Sequence, residues 1–183
     1  MTDQVVDVLR GYLARAREEL ASNCVAEGYV RLRIRLASAP ETPVDALEAV
    51  GGRHHLVILG PTGSGKTTIL ARLALRAAEV ALQALDAPAA GTPRLPLVPV
   101  LADLAGTRDE TSAARLVQRG FARVGVALAL RTARTLVQQV PLLLLLDNLD
   151  RAWDRTILKA YAPTKRDQTP NLRMVIACRE DAW

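Results

Sequence analysis

The most constraining stretch of this chain is "VILGPTGSGKTTIL", which begins at Val57. A short apolar run ends abruptly in glycines at 60, 63 and 65, and a lysine and two threonines follow at once. Glycines gathered so tightly allow positive φ and remove the Cβ atoms that would keep a backbone from closing around a ligand. Successive N–H groups can then surround a phosphate. A helix beginning near Lys66 would turn its partly positive end toward the same phosphate. The stretch matches G-x-x-x-x-G-K-[ST] at Gly60, Gly65, Lys66 and Thr67. In that pattern the lysine reaches the β and γ phosphates of a nucleotide, and the hydroxyl of Thr67 is offered to Mg²⁺. The whole segment Gly60, Pro61, Thr62, Gly63, Ser64, Gly65, Lys66, Thr67 and Thr68 is therefore the expected nucleotide contact.

A strand before and a helix after are required, and the flanks supply both. "HHLVILG" reads as a buried strand, and "TTILARLALRAAEVALQAL" as an apolar helix ended by the proline- and glycine-bearing "DAPAAGTPRLP". "LVPVLADL" is a second strand, and "TSAARLVQRGFARVGVALALRTARTLVQQ" is helical with a break near Gly125. "PLLLLLD" is apolar on both faces, as a central parallel strand must be. A short helix is expected around Trp153 to Ala160, and "NLRMVIAC" is a fourth strand. Strands alternating with helices predict an α/β fold with a parallel sheet.

The first 50 residues read differently. Val5, Leu9, Leu13, Ala16 and Leu20 recur at helical spacing over residues 3–21, with Thr2 or Asp3 as the cap. "YVRLRIRL" alternates strictly, with Arg31, Arg33 and Arg35 on one face, as a half-wet edge strand does. "SAPETPVDAL" follows as a connector into a short helix. We place a division at the turn "GGR": an N-terminal extension over 1–50 and a nucleotide-binding unit over 51–183.

Composition narrows the function classes. Aromatics are only 3% of the residues, too few for the stacking platforms of single-strand nucleic-acid binders, so nucleic acid is not indicated. The net charge of +5 fits a polyanion ligand and equally fits ordinary solubility. Cys24 and Cys178 match no metal or redox spacing and read as thiols in a reducing compartment. No apolar run approaches the roughly 20 residues of a membrane span. A cytoplasmic location is the expectation.

A second motif supports the first. In "LLLLLDNLD", Asp147 stands where five leucines end. A phosphate-bound Mg²⁺ needs a carboxylate at the carboxyl end of a neighbouring strand, and that is where open α/β sheets hold their ligands. Asp150, one turn later, could polarise or orient the attacking water. Arg151 is adjacent and opposite in charge, which predicts a weakened base and slow turnover.

Together "GPTGSGKTTIL", "VPVLADL", "LLLLLDNLD" and "RMVIACRE", over about residues 56–180, resemble the NACHT group of STAND-type P-loop NTPases, regulated switch ATPases of immunity and signalling. The match to P-V-x-x-x-L falls on Pro99, Val100 and Leu104. The resemblance implies that Asp147 holds Mg²⁺, Asp150 supports hydrolysis and Arg179, after Cys178, senses the γ-phosphate. It implies ATP and ADP as alternating ligands, and control by self-association or by regulatory domains of the same chain. It also implies a strand order 2-3-4-1 within the nucleotide-binding unit. A fifth strand beside the loop strand is missing, so the unit is expected to be incomplete at its C-terminus. Asn148 stands where the family has a small residue, Arg151 where an acid is usual, and Glu180 where proline is common. The departures at Asn148 and Arg151 bear on hydrolysis rather than binding. Two other readings stay open: a platform that holds nucleotide without hydrolysing it, and a motor ATPase of the AAA+ or pilus-retraction kind.

Overall fold

The computed structural model describes residues 3–23, 33–36, 39–45, 48–49, 55–86, 97–106, 112–151 and 171–182. The division at "GGR", the Thr2 cap, Cys24, Arg31, and the helix expected around Trp153 lie outside them. In chain order the elements are helix α1 (Asp3–Asn23), strands β1 (Arg33–Leu36), β2 (Ala39–Asp45) and β3 (His55–Leu59), helix α2 (Lys66–Asp86), β4 (Val98–Asp103), α3 (Ala113–Arg123), α4 (Leu130–Gln139), β5 (Leu142–Asp147) and β6 (Leu172–Cys178).

β3 to β6 form one parallel sheet in the order β3-β6-β5-β4. This is the order 2-3-4-1 that the resemblance implied, read from the other edge. β5, the five-leucine strand, is buried along its whole length. It lies between β4 and β6, with Asp147 opposite Asp103 and Leu144 opposite Met174. The apolar residues alternate between two covered faces. Val98, Val100, Leu142, Leu144, Met174 and Ile176 pack with Leu116, Val117 and Phe121 of α3 and with Ala133 and Leu136 of α4. Ile58, Leu101, Leu143, Leu145, Val175 and Ala177 pack with Ile69, Leu70, Leu73 and Ala74 of α2. Two covered faces explain why the sheet strands lack polar alternation.

α3 sits unusually close to the sheet. A Cβ on Gly120 would stand 2.3 Å from Val100 Cγ1 and 3.2 Å from the Leu101 carbonyl oxygen. α3 is capped by Ser112, whose side chain accepts from the Arg115 N–H. The expected break falls at Gly125, where φ is +72°, a left-handed value that favours glycine.

α1 is docked on this core. Leu9, Leu13, Ala16 and Leu20 are buried as their spacing predicts, whereas Val5 is only half-buried. Periodicity alone missed Tyr12. It is 2% exposed, its ring stacks on Phe121 at 3.8 Å between centroids, and its hydroxyl donates to the Pro99 carbonyl at 2.8 Å. Among the described residues β4 is the outermost strand on its side of the sheet, so this bond serves an edge strand. Arginines of α1 reach the C-terminal ends of both neighbouring helices. Arg10 donates to the Leu85 carbonyl in the last turn of α2, and Arg15 to the Gly125 carbonyl just beyond α3. Carbonyls at helix C-termini have no partner within the helix and attract cations.

One expectation is corrected. The segment read as a connector, 39–45, is strand β2, paired antiparallel with β1 through Ile34–Val44 and Arg33–Asp45. Pro40 and Pro43 concealed it, because proline cannot donate to a ladder. A two-stranded ribbon tolerates them: the register shifts between Ile34 and Leu36 instead of pairing regularly.

Candidate functional site

The glycine loop joins the end of β3 to the start of α2. Gly63 and Gly65 adopt φ of +79° and +85°, where any side chain would be strained. Gly60 serves differently from the other two: a Cβ there would lie 2.8 Å from Ser64 Oγ. The loop closes on itself through Ser64 N–H to the Pro61 carbonyl, and α2 opens with Ile69 N–H to the Gly65 carbonyl. Lys66 Nζ folds back across the loop, donating to the Gly60 and Pro61 carbonyls at 2.8 Å each.

Beside the loop lies the end of β5. Asp147 is 6% exposed and accepts from Thr67 Oγ1 at 2.6 Å and from the Asn148 N–H at 2.9 Å. The first residues of α2 and the last residue of β5 therefore meet through a hydroxyl and a carboxylate. Both are hard oxygen donors, and Mg²⁺ takes such ligands together with phosphate oxygens and water. The residues fit that ion.

The turn after Asp147 has its own support. Asn148 takes φ of +56°, a left-handed value that asparagine tolerates better than most residues. Its Nδ2 donates to Asp103 Oδ1 at 3.0 Å, across to the end of β4, where the Ala105 N–H also donates at 2.9 Å. Partial burial works against the charge on Asp103. The hydrogen bonds from Ala105 and Asn148, with Arg119 and Arg123 nearby, overcome it and hold the carboxyl below the usual aspartate range. Leu149 is buried and anchors a short 3-10 turn over Leu149–Arg151, closed by Arg151 N–H to the Asn148 carbonyl.

These elements enclose a cavity of about 330 Å³ lined by Thr62, Gly63, Ser64, Gly65, Lys66, Thr67, Thr68, Asp147, Asn148, Asp150, Arg151 and Arg179. That size lies within the range of small-molecule sites. Of the residues singled out in the sequence, Gly60 and Pro61 are not on this wall; Pro61 lines an adjoining cavity with Thr62, Arg179, Glu180 and Asp181. Arg179 does not stand alone. Its Nε donates to Asp181 Oδ1 at 2.9 Å and its Nη2 to Asp181 Oδ2. Sequence reasoning passed over Asp103 and Asp181 because their partners, Asn148 and Arg179, are chosen by turn geometry rather than by any spacing.

A family model for the magnesium chelatase subunit ChlI, an AAA+ P-loop family, matches residues 39–87, which run from β2 through the glycine loop to the end of α2. No curated protein matches the chain. The parallel sheet order, the glycine loop and this match make the fold that of a P-loop NTPase. Among the described residues no helix is long and apolar enough to cross a membrane.

Proposed function

We propose that this protein binds ATP with Mg²⁺ and hydrolyses it slowly, as a nucleotide-controlled switch of the STAND type in the cytoplasm. The observation that carries the proposal is the 2.6 Å contact between Thr67 and Asp147, made at the mouth of a loop whose glycines and lysine suit a pyrophosphate. In this reading residues 51–183 form the nucleotide-binding unit, and α1 belongs to an extension docked on it. The backbone from Gly60 to Thr68 surrounds the β and γ phosphates, and Lys66 exchanges its loop carbonyls for phosphate oxygens. Thr67 and Asp147 hold Mg²⁺, which neutralises charge on the phosphates when bound. Asp150, half-buried on the cavity wall, orients or deprotonates the attacking water. Arg179 contacts the terminal phosphate, so ATP and ADP differ in what they hold in place. Further domains of the same chain or a second copy of it would receive that difference.

A specific observation favours a second reading, a motor ATPase of the AAA+ kind: the family match over residues 39–87. Both readings share the site and differ in output. Steady-state ATPase beside nucleotide affinity tests the proposal. Turnover below about 10 s⁻¹, the median for enzymes, is expected, with a further loss of roughly 10²-fold in Asp150→Ala and ATP affinity held within about tenfold. Hydrolysis indifferent to Asp150→Ala would remove that residue from the chemistry. Tight binding with no turnover in either protein would make it a non-hydrolysing platform.

A further inference from the structure

Resting on the reading of Arg179 as the contact for the terminal phosphate, we propose that Asp181 sets how strongly the site distinguishes ATP from ADP. It does so by competing with that phosphate for the Arg179 guanidinium. β6 ends at Cys178, and residues Glu180–Ala182 make a tight 3-10 turn. The turn brings the Asp181 carboxylate back onto the arginine two residues earlier. Both carboxylate oxygens are engaged, one by Nε and one by Nη2.

This is the forked arrangement in which a guanidinium also binds a phosphate. One fork cannot hold both anions on the same edge. The competition takes place inside the site, because Arg179 lines the cavity that Lys66, Thr67 and Asp147 also line. Arg179 also lines the adjoining cavity with Pro61, Thr62 and Asp181, so it borders both the nucleotide cavity and the one that its carboxylate partner lines. The side chains of Arg179 and Asp181 are 47% and 63% exposed. A pair so wetted is weak and exchanges readily. It tunes the site rather than blocking it. The protonation equilibria agree with the contact: the hydrogen bond to Asp181 is the main cause raising the Arg179 pKa, and the same bond lowers that of Asp181. The terminal phosphate competes for the Nε–Nη2 edge that Asp181 holds, so ATP draws the arginine away from Asp181. ADP, lacking the terminal phosphate, leaves the pair intact. Asp181 therefore weakens ATP selectively and narrows the difference between the two nucleotides.

The test is calorimetric titration of Mg·ATP and Mg·ADP into the wild type, Asp181→Asn, Arg179→Ala and the double variant. Asp181→Asn is expected to tighten ATP by roughly two- to fivefold, the scale of an exposed ion pair, and to leave ADP unchanged. Arg179→Ala is expected to weaken ATP relative to ADP, and adding Asp181→Asn to it should change nothing further. Equal effects on both nucleotides, no effect, weaker ATP binding in Asp181→Asn, or a gain that persists without Arg179 would each overturn the competition. An ATP-to-ADP ratio unmoved by Arg179→Ala would instead overturn the assignment of Arg179 on which the competition rests. The two failures are therefore distinguishable.

Discussion

Tyr12 offers the sharpest check on how α1 is joined to the parallel sheet and its helices. Its ring lies nearly parallel to Phe121 of α3, at an interplanar angle of 9°, and its hydroxyl donates to the Pro99 carbonyl of β4. Tyr12→Phe keeps the stack and removes only the donor, leaving a buried carbonyl without its partner at a cost of about 1–3 kcal/mol. In a chain of this size, each 1 kcal/mol lowers Tm by roughly 2–4 °C. Tyr12→Ala also removes the ring and should cost about 3–5 kcal/mol. That is a large share of the 5–15 kcal/mol or so that holds a typical domain together. Burial raises the hydroxyl's pKa above that of an exposed tyrosine, with Glu19 adding to the rise and Arg123 and a backbone hydrogen bond from Leu101 opposing it. The folded state therefore resists losing this proton. The stability it contributes is complete below about pH 10, where tyrosine in an unfolded chain ionises, and it declines as the pH rises further. Urea unfolding followed by circular dichroism, at neutral pH and at stepped alkaline pH, reads both effects. Tyr12→Phe should lose part of the alkaline sensitivity of the wild type. A Tyr12→Ala variant within about 1 kcal/mol of wild type, or a Tyr12→Phe variant as alkali-sensitive as wild type, would refute the seating of α1 on α3 and β4.

Substitutions at two positions probe the supports of the site. Gly120→Ala should destabilise by about 1–3 kcal/mol in urea unfolding, because the overpacking against Val100 outweighs the better helix propensity of alanine. Asn148→Ala should cost roughly 1–2 kcal/mol, through left-handed strain and the lost bond to Asp103, whereas Asn148→Gly relieves the strain and should cost less than Asn148→Ala. Equal losses in the two Asn148 variants would show that backbone conformation is not what the position demands.

The parts of this structure legible in the sequence are those set by strong local chemistry. Gly60 to Thr67 announced a phosphate loop because few other needs gather such residues, and five consecutive leucines before Asp147 announced a strand buried on both faces. From these the alternating order of helices and strands followed, and the resemblance supplied the strand order. What stayed hidden depends on tertiary partners. Val5 and Tyr12 both lie on α1, but only a neighbouring Phe121 and a carbonyl of an edge strand make Tyr12 the buried one. Pro40 and Pro43 spoke against a strand, and β1 overrode them. At the site, Asp147 was legible from its position at a strand end. Asp103 and Asp181 were not, since each acquires its role from a turn that folds a side chain onto it.

In the proposed function the loop lysine, Thr67 and Asp147 form one Mg·ATP site. The most direct measurement is ATP affinity with and without Mg²⁺, in the wild type, Asp147→Asn and Lys66→Ala. The wild type should bind ATP more tightly when Mg²⁺ is added. Asp147→Asn should keep nearly the metal-free affinity and lose the gain, since it removes a negative oxygen ligand. Lys66→Ala should weaken binding by about 10- to 150-fold, the scale of a hydrogen bond to a charged group. A gain from Mg²⁺ that survives in Asp147→Asn, or an affinity unchanged in Lys66→Ala, would contradict the claim.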